Sequence, residues 1–312
     1  MSENRLISVI IPAYNEEACV AELVQRLQQV FSKNPQYNFE VLIVENGSID
    51  STWSLLQQVH NEDSRFKIIR LSRNFRMDGG LTAGLHHASG DAAVLMTADL
   101  QDPPELITEF IKKWEEGFEN IYMKVTERQG SGPIRRLNSV LFYWLATKLT
   151  GGAFPRNASD FRLVDRKVYE TVRKLDERNR FVRGLFAWVG FNTTSVEAPR
   201  PPRFAGTSNA HSLKVLDLAI KGIFAHSNLP LRIIVLVGLL LSGLSFLSLV
   251  PLAMLWIFVG VPFAGFGSLI ASVFLMFGIL TFMIGITAEY VGLIYEEVKQ
   301  RPNFIVRETL GL

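Results

Sequence analysis

ISVIIPAYNEE, residues 7–17, runs five mostly apolar residues into a proline and then into a polar, acidic stretch. A run this short, bounded by Pro12, reads as a buried strand rather than a helix. The pattern recurs: FEVLIV (39–44) leads into ENGSID, FKIIRL (66–71) into SRNFR, and AAVLM (92–96) into TADLQDPPE (97–105). Between these runs, Glu17–Phe31, Thr52–His60 and Gly80–Ala88 carry apolar residues at helical spacing. Strands alternating with helices predict βαβ units, hence an α/β domain around a parallel sheet. Ligands of such sheets bind beyond the carboxyl ends of the strands, so the segments after each run are where chemistry is expected. Three of the four carry carboxylates. Glu16, Asp50 and Asp102 have a plainer reading as helix-start residues, and for Asp50 capping is the expectation.

Further along, residues 233–288 form a tract of 56 residues without an Asp, Glu, Lys, Arg or His. That exceeds one bilayer crossing of about 20 residues and accommodates two. Ile233–Val259 and Leu269–Ala288 are the predicted spans, with the Gly- and Pro-rich GVPFAGFGS (260–268) as the turn. Lys214, Lys221 and Arg232 precede the first span, and Lys299, Arg301 and Arg307 follow the second. The positive-inside rule then places both flanks in the cytoplasm. A purely soluble protein is excluded, and a net charge of +2 without a basic aromatic patch argues against nucleic-acid binding. The single cysteine, Cys19, excludes disulfides and cysteine-based metal sites. The N-terminal segment reaches Pro12 and acidic residues too soon for a signal peptide.

Two amphipathic stripes flank the apolar tract on its N-terminal side. Leu137, Val140, Leu141, Trp144 and Leu145 form one, near Arg128, Arg135 and Arg136; Leu213, Leu216, Ile220, Ile223 and Phe224 form the other. Each fits a core-facing helix. Adjacency to a span favours an interfacial helix for the second. Gly238, Ser242, Gly243, Gly278 and Gly285 allow close helix contacts, so a homo-oligomer, up to a tetramer, is expected.

VIIPAYNEE (9–17), VENGSIDST (44–52), LSRNFR (71–76) with AGLHHASGD (83–91), and TADLQDPPE together resemble glycosyltransferase family 2. More specifically, SDFRLVDR (159–166), RFAGTS (203–208), FAHSNLPLR (224–232) and AEYVGLIYEEVKQRPNFIV (288–306) resemble its polyisoprenyl-phosphate branch, the bactoprenol glucosyltransferases and the dolichyl-phosphate mannose and glucose synthases. No Gln-x-x-Arg-Trp sequence occurs, unlike in processive polysaccharide synthases. The resemblance implies an A-type (Rossmann-like) cytoplasmic domain over 1–210, a juxtamembrane amphipathic helix over 211–231, a two-helix transmembrane hairpin over 232–295 and a cytoplasmic tail over 296–312. It implies inverting transfer of a hexose, glucose from UDP-glucose first, to undecaprenyl or another polyprenyl phosphate at the inner face of the cell membrane. The open alternatives are transfer from GDP-mannose and a membrane scaffold whose catalytic motif has decayed.

Residue roles follow from the same resemblance. Pro12, Tyr14, Glu16 and Glu45 are the expected nucleotide contacts, with Gly47 permitting the turn. Mg²⁺ or Mn²⁺ is expected on Asp99 and Gln101, because a hard cation takes a few oxygen ligands from the protein and others from substrate phosphates. An extended backbone would point these two side chains the same way. The family usually has Asp-x-Asp here, and Thr97 stands at the first Asp. Asp160 is the expected catalytic base; orienting Arg162 or capping a turn is the structural alternative. Arg128, Arg135, Arg136 and Arg203 are the expected acceptor-phosphate ligands, since guanidinium forks match phosphate oxygens. Each alone reads equally as a solvated surface charge.

Overall fold

A computed structural model describes residues 5–128, 157–202, 204, 231, 234–241, 243, 247, 254, 258 and 265–312. The sheet strands are β1 (Leu6–Ala13), β2 (Asn38–Glu45), β3 (Phe66–Leu71), β4 (Ala92–Leu95), β5 (Asn120–Arg128), β6 (Ala158–Asp165), β7 (Thr193–Arg200) and β8 (Val306–Leu310). They lie in the order β7-β5-β6-β4-β1-β2-β3-β8. β1 pairs in parallel with β2 and β4, β2 with β3, and β5 with β7, whereas β6 and β8 run against their neighbours. Helices among the described residues include α1 (Val20–Lys33), α2 (Thr52–Glu62), α3 (Arg76–His87), α4 (Ile107–Glu115), α5 (Arg166–Lys174), α6 (Val182–Trp188) and α7 (Phe266–Lys299).

Alternation along the strands sorts side chains to two apolar layers. Ile7, Val9 and Ile11 join Leu23, Leu27, Phe110 and Phe161 on the α1 and α4 face. Ile10, Leu42, Val44 and Leu95 join Leu81, Val168, Tyr169, Leu185 and Phe186 on the α3, α5 and α6 face. The fit is close where α3 crosses β1: a Cβ on Gly84 would lie 2.2 Å from Ile10 Cγ2. The four expected strands and three expected helices are all present, with ends shifted by a few residues.

The chain divides into two compact units, residues 1–215 with 300–312, and residues 216–299. Residues 296–312, expected as a tail, are built differently: α7 continues to Lys299, and β8 closes the sheet edge beside β3. α7 has 34 residues, contains the second expected span, and leaves Leu269, Phe274, Leu275, Phe277, Phe282 and Ile284 exposed. At 1.5 Å per residue it extends about 51 Å. Its Ser272–Lys299 portion is long and apolar enough to cross a membrane. Most of the first expected span, both amphipathic stripes, Arg135, Arg136 and Arg203 lie outside the described residues.

Candidate active site

The segments after β1, β2, β3 and β4 meet at one edge of the sheet. Residues 14–19 and 46–52 form a mutual clasp. Asn15, at φ 56, donates its backbone N–H to Ser48 Oγ at 3.0 Å and accepts the Ile49 N–H on Oδ1 at 3.0 Å. Glu16 N donates to Thr52 Oγ1 at 2.9 Å, and Ser51 N to Glu17 Oε2 at 2.9 Å. Asp50 lies one residue before Ser51, the N-cap of α2, and accepts the amide of Thr52, the first residue of the helix, at 3.0 Å, so it serves the helix start without occupying the cap position expected of it. Gly47, at φ +74, has no room for a side chain: a Cβ would stand 2.8 Å from the Arg73 carbonyl carbon. Pro12, Tyr14 and Glu16 are partly exposed along this clasp. Glu45 is not open to the edge. It is 0% exposed, receives the Ser48 amide on Oε1, and holds Arg70 Nε on Oε2 at 3.1 Å.

After β4, the expected extended backbone is replaced by a turn. Leu100 sits at φ 59 with its side chain buried, a left-handed conformation that costs a non-glycine residue about 1 kcal/mol. The turn gathers three oxygen-bearing side chains. Thr97 Oγ1 is 2.7 Å from Asp99 Oδ1 and 2.8 Å from Asp102 Oδ2, and Thr97 N donates to Asp102 Oδ2 at 3.0 Å. Gln101 does not stand beside Asp99 as extended spacing would have it. Its amide N–H reaches Asp99 Oδ1 at 3.3 Å, while its side-chain Nε2 donates to Pro201 O at 3.4 Å. Asp102 is fully buried, with Arg200 Nη2 3.5 Å from Oδ1. Burial raises its pKa against the pull of Arg200 and the Thr97 bonds, and the neighbouring Asp99 adds to the rise.

Asp160, at the start of β6, reaches the same edge because β6 runs opposite to β4. Its partner is Arg183 of α6, not Arg162. Arg183 Nε donates to Asp160 Oδ1 at 2.6 Å and Nη2 to Oδ2, a two-pronged ion pair. Burial pushes the Asp160 carboxyl up, but Arg183, with Arg162 and Arg200, outweighs it and holds the net value below the ordinary range. Arg162 is buried, lies 5.1 Å from the Phe186 ring centroid and donates to the backbone oxygens of Ser159 and Asp160 at 3.3 and 3.4 Å. Burial lowers its pKa to about 10. Arg128 ends β5 in register with Arg200. Nothing in the sequence marks Arg183 or Arg200. No spacing links Arg183 to Asp160, 23 positions earlier, and only the packing of α6 on β6 joins them.

The family model described as glycosyl transferase family 2 matches residues 8–173. The chain belongs to that family. Within the family, it is 40% identical over 312 residues to an uncharacterized glycosyltransferase, YkcC, of Bacillus subtilis, covering 100% of this chain and 96% of that one. It is 35% identical over 303 residues to the SfII prophage-derived bactoprenol glucosyl transferase of Shigella flexneri, covering 97% of this chain and 98% of the relative. A prophage bactoprenol glucosyl transferase homolog of Escherichia coli is 34% identical over 301 residues, covering 96% and 98%. Among solved structures, glucosyl-3-phosphoglycerate synthase of Mycobacterium tuberculosis in complex with Mn²⁺, UDP and phosphoglyceric acid is 19% identical over 70% of this chain and 76% of that one, with a TM-score of 0.46. By the family match, the mixed sheet is the A-type scaffold of a family 2 transferase.

Proposed function

We propose that this transferase moves glucose from UDP-glucose to undecaprenyl or a related polyprenyl phosphate at the cytoplasmic face of the cell membrane, with inversion at the anomeric carbon. The observation that carries this is the extent of the likeness to bactoprenol glucosyl transferases. At 97% of the chain it spans the exposed apolar helix α7 as well as the sheet domain. A lipid acceptor explains why one chain joins a nucleotide-sugar domain to a long apolar helix that leaves Leu269, Phe274, Phe277 and Phe282 exposed.

In this reading the clasped loops 14–19 and 46–52 take the nucleotide, with Pro12, Tyr14 and Glu16 along its path. Glu45 acts from behind by fixing the Ser48 amide rather than by meeting the ribose directly. The donor set after β4 fits a hard divalent cation, Mg²⁺ or Mn²⁺. Asp99 would hold it with oxygen from Thr97, or from Gln101 once that side chain turns from Pro201, and diphosphate oxygens would supply further ligands. Such a cation supplies charge stabilisation to the departing nucleoside diphosphate. The chain's own residues do the rest. Asp160 and Arg183 form a fixed pair beside the reacting centre, where a phosphate acceptor, already ionised near neutral pH, makes little demand for a strong base. Arg128 and Arg200 stand in register at the same edge, and Arg135, Arg136 and Arg203 complete the proposed acceptor-phosphate set. We also propose the two-span hairpin at 232–295 and an oligomer, up to a tetramer, whose helices approach at small residues such as Gly278 and Gly285.

Transfer assays with purified protein, undecaprenyl phosphate, Mg²⁺ or Mn²⁺ and a panel of nucleotide sugars test this reading. UDP-glucose should give the highest kcat/KM. Preference for GDP-mannose would move the assignment to a mannose synthase-like enzyme, and no turnover with any donor would favour the scaffold.

A further inference from the structure

Arg70 ties three strands and an aromatic ring together behind the loop that follows β2. It stands opposite Glu45 on β2 and Glu308 on β8 in the register of the sheet. Its Nε donates to Glu45 Oε2 at 3.1 Å, its Nη1 to Glu308 Oε1 at 2.8 Å, and its guanidinium lies 4.4 Å from the centroid of the Trp53 ring. Glu45 in turn receives the Ser48 amide, so the line of contacts runs from β8 through Arg70 to the 46–52 loop.

β8 is seated independently of this ion pair. Ser72 N donates to Ile305 O at 2.9 Å, and Asn303 Nδ2 donates to Glu177 O at 2.9 Å. Gly311, at φ +77, lies against His60 so closely that a Cβ would meet Cε1 at 2.5 Å. Loss of the Glu308 carboxylate, 43% exposed, therefore leaves the strand its other anchors.

We propose that Arg70 is a positioning residue for the nucleotide-binding loop and that Glu308, supplied by the strand following α7, sets its geometry. Glu45 is buried and ionisable, and such a carboxylate needs a cation held in place. A planar guanidinium can bridge two carboxylates while stacking on a ring, which a lysine ammonium cannot reproduce. With Glu308 in place, Arg70 has one arrangement; without it, the guanidinium is free to turn toward solvent on its exposed side, and Glu45 and Ser48 lose their fixed partner. The element that follows the apolar helix thereby bears on donor binding, although no residue of β8 lies among the expected nucleotide contacts. This rests on the reading that the clasped loops hold the nucleotide.

UDP affinity by calorimetry, with donor and acceptor KM, tests it on the full-length protein in detergent. Glu308→Gln should weaken UDP binding and raise donor KM by about two- to five-fold, the scale of a half-exposed ion pair, with acceptor KM and Tm unchanged. Arg70→Met should weaken UDP binding at least ten-fold, Arg70→Lys should recover part of the loss, and Glu308→Gln should add nothing in the Arg70→Met background. Where Arg70→Met does not fold, Glu308→Gln and Arg70→Lys decide. Wild-type protein that binds UDP alongside Glu308→Gln and Arg70→Lys variants that bind it equally well would overturn the proposal, as would losses shared equally by donor and acceptor KM. Wild-type protein that does not bind UDP would instead overturn the nucleotide reading itself.

Discussion

Asp99 and Thr97 show how much one side chain changes in the chemistry open to this turn. Thr97 has a single hydroxyl proton between two carboxylates, and its amide already serves Asp102, so the hydroxyl is well placed to serve Asp99. Asp99→Asn should remove most transfer while the protein remains folded, because a neutral amide is a weaker ligand than a carboxylate for the divalent cation that would offset the diphosphate charge; activity retained at the wild-type level would reject the metal-site assignment. Thr97→Asp would add a third carboxylate within hydrogen-bond range of the other two, and like charges so close disfavour ionisation. Its Tm should therefore fall without added metal and recover with Mn²⁺, and a Tm indifferent to metal would show that the turn does not face the cation. Asp160 is judged by the same electrostatics. A carboxylate held ionised by Arg183 is a poor proton acceptor but a firm anchor, so Asp160→Asn should lower kcat about ten-fold or more by the same factor at pH 6 and pH 8.5. A much larger loss at pH 6, where a lipid monophosphate is partly protonated, would restore the general-base role. The sequence points to Asp99 because it lies just past an apolar run, and to Asp160 through the resemblance of SDFRLVDR to the family's motif. It does not point to Arg183, Arg200 or Arg70, whose partners are brought to them by sheet order and helix packing rather than by spacing.

At the scale of elements, β1 to β4 are legible because they are buried on both faces and read as continuous apolar runs. β5 (NIYMKVTER), β7 (TTSVEAPR) and β8 (VRETL) mix polar residues into every stretch, and β7 and β8 form the two edges of the sheet, where one side needs no burial. Their pairing is decided by partners distant in sequence, and no local pattern records it. α6 is equally inconspicuous at seven residues, yet it presents Arg183 to Asp160. Its first amide, Val182 N, is held by Asp78 Oδ1 of α3 at 3.0 Å. Burial drives the Asp78 pKa up to about 6 from 3.8, opposed by the Val182 bond, reinforced by Asp160, and eased by Arg183 and Arg180. A carboxyl with a raised folded-state pKa binds more protons folded than unfolded, so stability falls as pH rises from about 4 to 6 and the penalty persists above 6. Asp78→Asn keeps an acceptor for Val182 and removes the charge. Thermal melts should show it near wild type at pH 4.5 and more stable by about 1–3 kcal/mol at pH 8. Greater destabilisation at pH 8 than at pH 4.5 would mean that the arginines, not burial, govern this carboxyl.

For the whole molecule, the sheet itself constrains membrane topology. β8 follows the apolar helix α7 in the chain, yet it pairs with β3 in the same sheet as β1. Strands of one sheet share one side of a membrane, so a single crossing by α7 would strand β8 on the wrong face. The proposed crossing by α7 therefore needs a second crossing before it, and the uncharged stretch 233–259, between β7 and α7, has the length and composition for one. Its residues 234–241 are helical, and a Cβ on Gly238 would stand 3.5 Å from Met283 Cε of α7. The shared side in the proposed topology is the cytoplasm, on the support of the basic residues at both flanks of the tract. Reporter fusions before residue 1 and after residue 312 should therefore both read as cytoplasmic, and a reporter placed within 260–268 should read from the opposite side. Alkaline carbonate should leave the protein in the membrane pellet. A fusion after residue 312 on the far side would separate β8 from β3 and break the sheet. A cytoplasmic reading from 260–268 would instead leave α7 lying along the membrane surface, with the acceptor lipid reached without any crossing.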